Sequence, residues 1–217
     1  MITGASAGRS FDCSRTPCVR NYLCFGARRA FPLGPTAVGM IRICLRKRMR
    51  IVLESPSHRR QDEFLRAVAR SRNLHRRWAS PPSTPAAFTE YLSRLKSAAH
   101  LGYFVRTDAD ELAGVININD IVRGKSLSGY LGYYAFVPHD GRGYMAEGLC
   151  AVISRAFRVL KVHRLEANIQ PHNTRSRRLV QGLGFRREGV SPRYLKIAGR
   201  WCDHERWALA AENWSHD

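Results

Sequence analysis

The segment richest in possible chemistry is Tyr134-Ala-Phe-Val-Pro-His-Asp-Gly-Arg-Gly-Tyr-Met-Ala-Glu-Gly148. It reads as the end of a strand, a glycine turn and the start of a long amphipathic helix. Gly141 and Gly143 let the main chain approach a ligand closely. The helix behind them offers unpaired N–H groups and the positive end of its dipole, which together make a diphosphate site. A tight turn without a ligand is the other reading of Gly-x-Gly. Gly141-Arg-Gly143-Tyr-Met-Ala146 also fits a loose dinucleotide fingerprint, with Glu166 about 20 residues further on. That fingerprint normally opens the first unit of a doubly wound sheet. Only 74 residues follow Gly143 here, which speaks against a nicotinamide or flavin enzyme.

Other polar residues could serve the same site. Pro171-His-Asn173 opens a helix with Ser176 in its first turn, where a serine also commonly bonds to nearby backbone. Arg175, Arg177 and Arg178 could meet a phosphate, form a solvated face or dock to a larger particle. Asp203 and His204 are candidates for a base or for capture of a substrate amine, with bracing of the last hairpin as the structural alternative for Asp203. Asn117 could line the substrate side, as could Asn119, or both could be structural. Glu147 suits a salt bridge better than catalysis, and Trp201 and Trp207 suit a core better than a substrate platform. Four of the six cysteines fall at Cys13, Cys18, Cys24 and Cys44. Their spacing matches neither a disulfide framework nor a zinc ribbon, so no metal is expected.

Periodicity supplies the elements that would position these residues. Arg50–Glu54 reads as a strand, and a helix is expected from Ser57 to about Arg72 with Phe64, Leu65, Val68 and Ala69 on one face. Thr84 caps a second helix with Pro85 at its first position and Phe88, Tyr91, Leu92, Leu95 and Ala98 as its apolar face. Strands are expected at 102–107, 111–118 and 129–137. The helix after the glycine turn runs to about Lys161. Arg164–Ile169 alternates as a strand, a helix follows to Gly182, and two last strands cover about 185–197 and 201–210. The order implies a mixed α/β or α+β sheet with helices on its faces.

Seven ordered blocks resemble the GNAT superfamily of acetyltransferases, and within it the RimJ/RimL branch of ribosomal-protein N-terminal alanine acetyltransferases, the RimJ side above all. They are 114–124, Tyr130-Leu-Gly-Tyr133, Gly141-Arg-Gly143, 163–168, 171–176, 183–189 and Gly199-Arg-Trp-Cys-Asp-His204. The resemblance covers about residues 46–214. It implies a GNAT fold: a mixed central sheet of about seven strands, helices on both faces, and acetyl-coenzyme A wedged between splayed strands 129–137 and 164–169. It implies that backbone groups of Ala135, Phe136 and Val137 hold the thioester arm. The N–H groups of His139, Asp140, Gly141, Arg142, Gly143 and Tyr144, with Met145 adjacent, would hold the diphosphate. Asn173 matches an asparagine that touches the pantetheine arm, and Ser176 matches a serine proposed as general acid. Asp203 is then the candidate catalytic carboxylate, with Asn117 and His204 toward the substrate. The chain departs from the family pattern in four places. Pro138 replaces a Gln or Arg, and Asp140 puts a carboxylate beside the diphosphate, with Arg142 as its local compensation. Asn168 and Val180 stand where some relatives carry a base Glu and an acid Tyr, so neither role transfers.

Lys and Arg number 36 against 17 acids, a formal net charge of +19, and 31 of the 36 are Arg. Such a balance favours polyanionic surroundings. The first fifty residues hold nine Arg and one Lys against Asp12, leaving +10 on the remainder. Residues 1–45 are rich in Gly, Ser, Pro and Arg without a sustained period, and read as a poorly ordered extension. Met40 or Met49 is an alternative start. No apolar run approaches the roughly 18–20 residues of a membrane span, so a cytoplasmic protein, monomer or homodimer, is expected. The expected activity is acetyl transfer from acetyl-coenzyme A to an amine, foremost the N-terminal amine of a ribosomal protein. A small-molecule amine acetyltransferase (polyamine, antibiotic or amino acid) and a non-catalytic ribosome- or RNA-binding protein of the same fold are the alternatives.

Overall fold

The computed structural model of the chain describes residues 50–215. The expected extension over 1–45 and the alternative starts at Met40 and Met49 lie outside the described residues. Seven strands form one sheet in the order β1-β2-β3-β4-β5-β7-β6. They are β1 (Ile51–Glu54), β2 (Leu101–Thr107), β3 (Leu112–Val122), β4 (Ser128–Ala135), β5 (Arg164–Ile169), β6 (Arg186–Ile197) and β7 (Arg200–Ala210). All neighbours are antiparallel except β4 and β5, which run parallel. The helices are α1 (Gln61–Arg70), α2 (Arg72–His75), α3 (Pro85–Arg94), α4 (Tyr144–Arg158) and α5 (Thr174–Gly182). This is the mixed seven-stranded sheet that the sequence implies.

Side chains alternate across a strand, and here the alternation sorts two cores. Phe104, Val115 and Phe136 pack against Phe64, Val68, Phe88 and Tyr91 of α1 and α3 on one face. Tyr103, Val105, Ile116, Leu165, Ala167 and Trp207 pack against α4 and against Val180 of α5 on the other. Thr84 caps α3 as expected, its hydroxyl oxygen accepting from the Ala87 N–H at 3.2 Å, with Pro85 at the first helical position.

Several expected bounds need correction: the strand expected over 129–137 ends at Ala135, and the helix expected to run to about Lys161 ends at Arg158. The helix from Ser57 to Arg72 is interrupted at Ser71, whose N–H is shared between the carbonyls of Ala67 and Val68 before α2 begins. The helix at Pro85 ends at Arg94, so Ala98 is exposed beyond it. The strand expected over 111–118 continues to Val122, because its polar Asn117, Asn119 and Asp120 hide the alternation while the backbone keeps pairing with β4.

Gly148 sets how closely α4 approaches the sheet. A Cβ there would lie 2.9 Å from Val105 Cγ2 and 3.0 Å from Ile116 Cδ1. Gly148→Val is therefore expected to lower stability by about 1–3 kcal/mol through overpacking, read as a lower urea midpoint. An unchanged midpoint would show that α4 has room to move.

Candidate functional site

The sheet comes apart in its middle. β4 pairs with β5 only over Ser128–Tyr130 against Arg164–Glu166, whereas β5 pairs along all six residues with β7. Beyond Tyr130, β4 stays with β3 and β5 stays with β7. The Phe136 N–H bonds to the Ala113 carbonyl at 2.8 Å, in register with the β3–β4 ladder. Antiparallel pairing alternates along a strand, so the main-chain groups of Leu131, Tyr133 and Ala135 turn away from β3 into the gap.

A cavity of about 940 Å³ lies at this gap and is lined from both faces of the sheet. Tyr133, Ala167, Ser176, Met145 and the glycine turn line it on the α4–α5 side. His75, Trp78, Asn117, Asn168 and His204 line it on the other. On the glycine turn, Gly141 has φ +75° and Gly143 has φ +88°, the left-handed region where glycine is favoured. The first backbone bonds of α4 run from Ala146 and Glu147 to the Gly143 carbonyl. The N–H groups ahead of them, at Gly143, Tyr144 and Met145, are the unpaired donors of a helix start and can receive an anion. Arg50 fixes this turn from outside, with Nε on the Glu147 carboxylate at 2.8 Å and Nη2 on the Arg142 carbonyl at 3.2 Å. Glu147 is thus committed to an ion pair.

The sequence candidates divide on the geometry. Ala135, His139, Asp140, Gly141, Gly143, Met145 and Asn173 line the cavity, as do Ser176, Asn117 and His204. Phe136, Val137, Arg142, Tyr144 and Asp203 do not line it. Phe136 is fully buried in the core with its N–H on Ala113, and the Val137 N–H donates to Ser71 Oγ at 3.0 Å. Those two N–H groups are therefore spent, and so is that of His139, which bonds to the Phe136 carbonyl at 2.8 Å. The Asp203 carboxylate accepts from the Arg193 N–H at 2.7 Å and braces the β6–β7 hairpin. Arg142 does not compensate Asp140. Arg175 does so from α5, at 3.4 Å across the cavity mouth. Arg177 is drawn off by Glu205 at 2.9 Å, leaving Arg175 and Arg178 at the cavity. Trp207 is core, but Trp201 is 61% exposed on the hairpin. Glu166 pairs with Arg164 at 2.8 Å, and the largely antiparallel sheet is not the doubly wound one that a dinucleotide fingerprint requires. Among the described residues no cluster of His, Cys, Asp or Glu could hold a metal.

The helix cap of α5 frees Ser176. Asn173 Oδ1 accepts from the Ser176 N–H at 3.2 Å, so Asn173 caps the helix, and it also lines the cavity. The Ser176 hydroxyl lies 2.6 Å from the Tyr133 hydroxyl on β4. Burial pushes the Tyr133 phenol up to about 12, partly offset by that bond.

On the opposite face, His204 is buried and its Nδ1 lies 2.9 Å from the Cys202 carbonyl. A carbonyl only accepts, so Nδ1 carries the hydrogen and Nε2 keeps its lone pair. Burial lowers the His204 pKa below its ordinary 6.5, against smaller opposing contributions from the Cys202 carbonyl and Asp203. His75, which the sequence reading missed, donates from Nε2 to the Ala135 carbonyl at 2.7 Å, and burial lowers its pKa too. Ser71 and His75 together clamp the end of β4 at Val137 and Ala135. The break between α1 and α2 puts them there, and no periodic signal announces it.

A family model described as "Acetyltransferase (GNAT) domain" matches residues 50–186. The "Probable N-acetyltransferase YjcK" of Bacillus subtilis is 37% identical over 123 residues, 56% of this chain and 67% of its own length. The "[Ribosomal protein uS5]-alanine N-acetyltransferase" of Escherichia coli is 41% identical over 119 residues, 55% of this chain and 61% of its own length. The match thus spans less than two thirds of the latter relative. Among solved structures, Mycobacterium smegmatis RimJ in complex with CoA-disulfide has a TM-score of 0.69 at 25% identity, over 75% of this chain and 82% of its own.

Gly141→Asp tests the turn. The added carboxylate would stand against a diphosphate at a left-handed φ that Asp tolerates better than most residues. Calorimetric titration with coenzyme A is expected to show affinity reduced at least tenfold, with Gly141→Asn losing much less. Equal affinities in both variants and the parent would place the diphosphate elsewhere.

Proposed function

Because the chain belongs to the GNAT family of N-acetyltransferases, we propose that it transfers the acetyl group of acetyl-coenzyme A to the N-terminal α-amine of a protein, foremost a ribosomal protein. One observation carries the choice of amine. Asp140 is the one carboxylate among the described residues that line the cavity; it sits at the glycine turn and is tied to Arg175. The acceptor face offers imidazole and amide groups, from His204, Asn117 and Asn168, and no negative charge to collect a polycation. An α-amine has a pKa of about 7.7–8.0 against roughly 10.4 for lysine. It therefore arrives partly neutral and needs only a modest base. The ribosomal acceptor draws support from the named activity of the Escherichia coli relative. The +10 carried by the chain beyond its first fifty residues also suits a polyanionic particle.

Each residue then has a task. The N–H groups of Gly143, Tyr144 and Met145 bind the diphosphate. The gap-facing edge of β4, at Leu131, Tyr133 and Ala135, pairs with the amides of the pantetheine arm and draws the thioester to the split. Phe136 and Val137 are committed elsewhere, so whichever of these gap-facing N–H groups lies nearest the thioester polarises its carbonyl. Nε2 of His204 receives the amine and takes up its proton as the N–C bond forms. The C–S bond breaks, its electron pair stays on sulfur, and Ser176 supplies a hydroxyl hydrogen to that sulfur. Overall the amine loses one proton and coenzyme A leaves as the thiol. Holding the two reactants on opposite sides of one split supplies much of the rate by orientation.

Incubation with labelled acetyl-coenzyme A, ribosomal proteins and polyamines is expected to label a protein N-terminus. Label confined to small amines would contradict the proposal. His204→Ala should lower kcat/KM by about a hundredfold, the low end of general-base effects. The pH profile gives the sign. Below the lowered His204 pKa both the amine and the imidazole of the parent are protonated, so log(kcat/KM) falls with slope 2. The variant should fall with slope 1 throughout.

A further inference from the structure

We propose that Tyr133 is a positioning residue that aims the Ser176 hydroxyl at the leaving sulfur. The inference rests on the acetyl-transfer reading above and adds to it a task for the Tyr133 side chain, which that reading leaves unused.

The two hydroxyls lie 2.6 Å apart across the α4–α5 side of the cavity, one on β4 and the other in the first turn of α5. A serine there ordinarily satisfies itself on nearby backbone. In this chain Asn173 already caps the helix by accepting from the Ser176 N–H. The Ser176 hydroxyl is thereby released to reach across the gap.

The direction of the bond follows from acidity. A phenol, at pKa about 10, is far more acidic than an alkyl hydroxyl, so the phenol is the better donor and the serine oxygen the better acceptor. Burial raises the phenol further and keeps it protonated. With Tyr133 donating into Ser176 Oγ, the serine's own hydrogen must point elsewhere, and the cavity is the open direction. Tyr133 is also one of the β4 residues whose main chain turns into the gap. One residue would therefore register the thioester arm by its backbone and orient the proton donor by its side chain. As the serine's proton moves to sulfur, the Tyr133 proton follows along the hydrogen bond onto Ser176 Oγ, so no serine alkoxide is left, and the proton that the amine gives up restores the phenol in the cycle.

The test is a double-mutant cycle with Tyr133→Phe and Ser176→Ala, measuring kcat at saturating acetyl-coenzyme A and the calorimetric affinity for coenzyme A. Each single variant is expected to lose about tenfold or more in kcat with unchanged coenzyme A affinity, and the double variant to be no slower than Ser176→Ala alone. Four results would overturn the proposal. Parent-like kcat in Ser176→Ala would remove the serine, and the tyrosine with it, while leaving acetyl transfer itself intact. Parent-like kcat in Tyr133→Phe, or losses that multiply in the double variant, would leave the serine without this partner. Weakened coenzyme A binding in Tyr133→Phe would assign the hydroxyl to the cavity wall instead. Absence of acetyl transfer by the parent protein would instead sink the underlying reading, which separates the two failures.

Discussion

The site depends on a broken strand pairing. β4 and β5 are the sheet's one parallel pair, and they hold together for three residues. Each then follows the antiparallel neighbour with which it has the longer ladder, β3 or β7. Every main-chain group left in the gap is a donor or acceptor that must find another partner. Some find one within the chain, as when His75 takes the Ala135 carbonyl and Ser71 takes the Val137 N–H. The rest form an edge onto which an amide-bearing arm can be laid. The same separation makes room for a cavity lined from both faces of the sheet.

The two faces of the cavity carry different electrostatics. On the α4–α5 side lie a helix start, two left-handed glycines, Arg175 and Arg178, all suited to phosphate. Asp140 runs against that trend, and Arg175 reaches over to it from α5. Arg175 is exposed and Asp140 half-buried, so the pair contributes little to stability; in the proposed site it would keep the carboxylate from facing a diphosphate unaccompanied. On the other side the groups are neutral. Burial holds His75 and His204 in the uncharged form, and for each ring the carbonyl it bonds to fixes which nitrogen carries the hydrogen.

Local signals in the sequence reach far into this arrangement. The alternation of Arg164–Ile169, the Thr84-Pro85 cap and the glycine turn each report a few consecutive residues, and each is found where its pattern places it. What the sequence hides is contact between distant segments. Ser71 and Val137 are 66 residues apart, His75 and Ala135 are 60 apart, and Tyr133 and Ser176 are 43 apart. No spacing rule joins them. Arg142 was the natural partner for Asp140 because it is two residues away, but the neighbour in space is Arg175. Asp203 shows the same limit from the other direction. A carboxylate beside a histidine suggests a catalytic pair, yet in an alternating strand the two side chains point to opposite faces, and Asp203 serves the hairpin.

The most direct measurement is a crystal structure of the protein with coenzyme A bound. The account predicts the diphosphate within about 2.7–3.2 Å of the N–H groups at 143–145, and the pantetheine arm lying along Leu131–Ala135 with its sulfur beside Ser176. A ligand bound outside the split, or one whose arm runs along β5 and leaves the β4 edge bare, would contradict it.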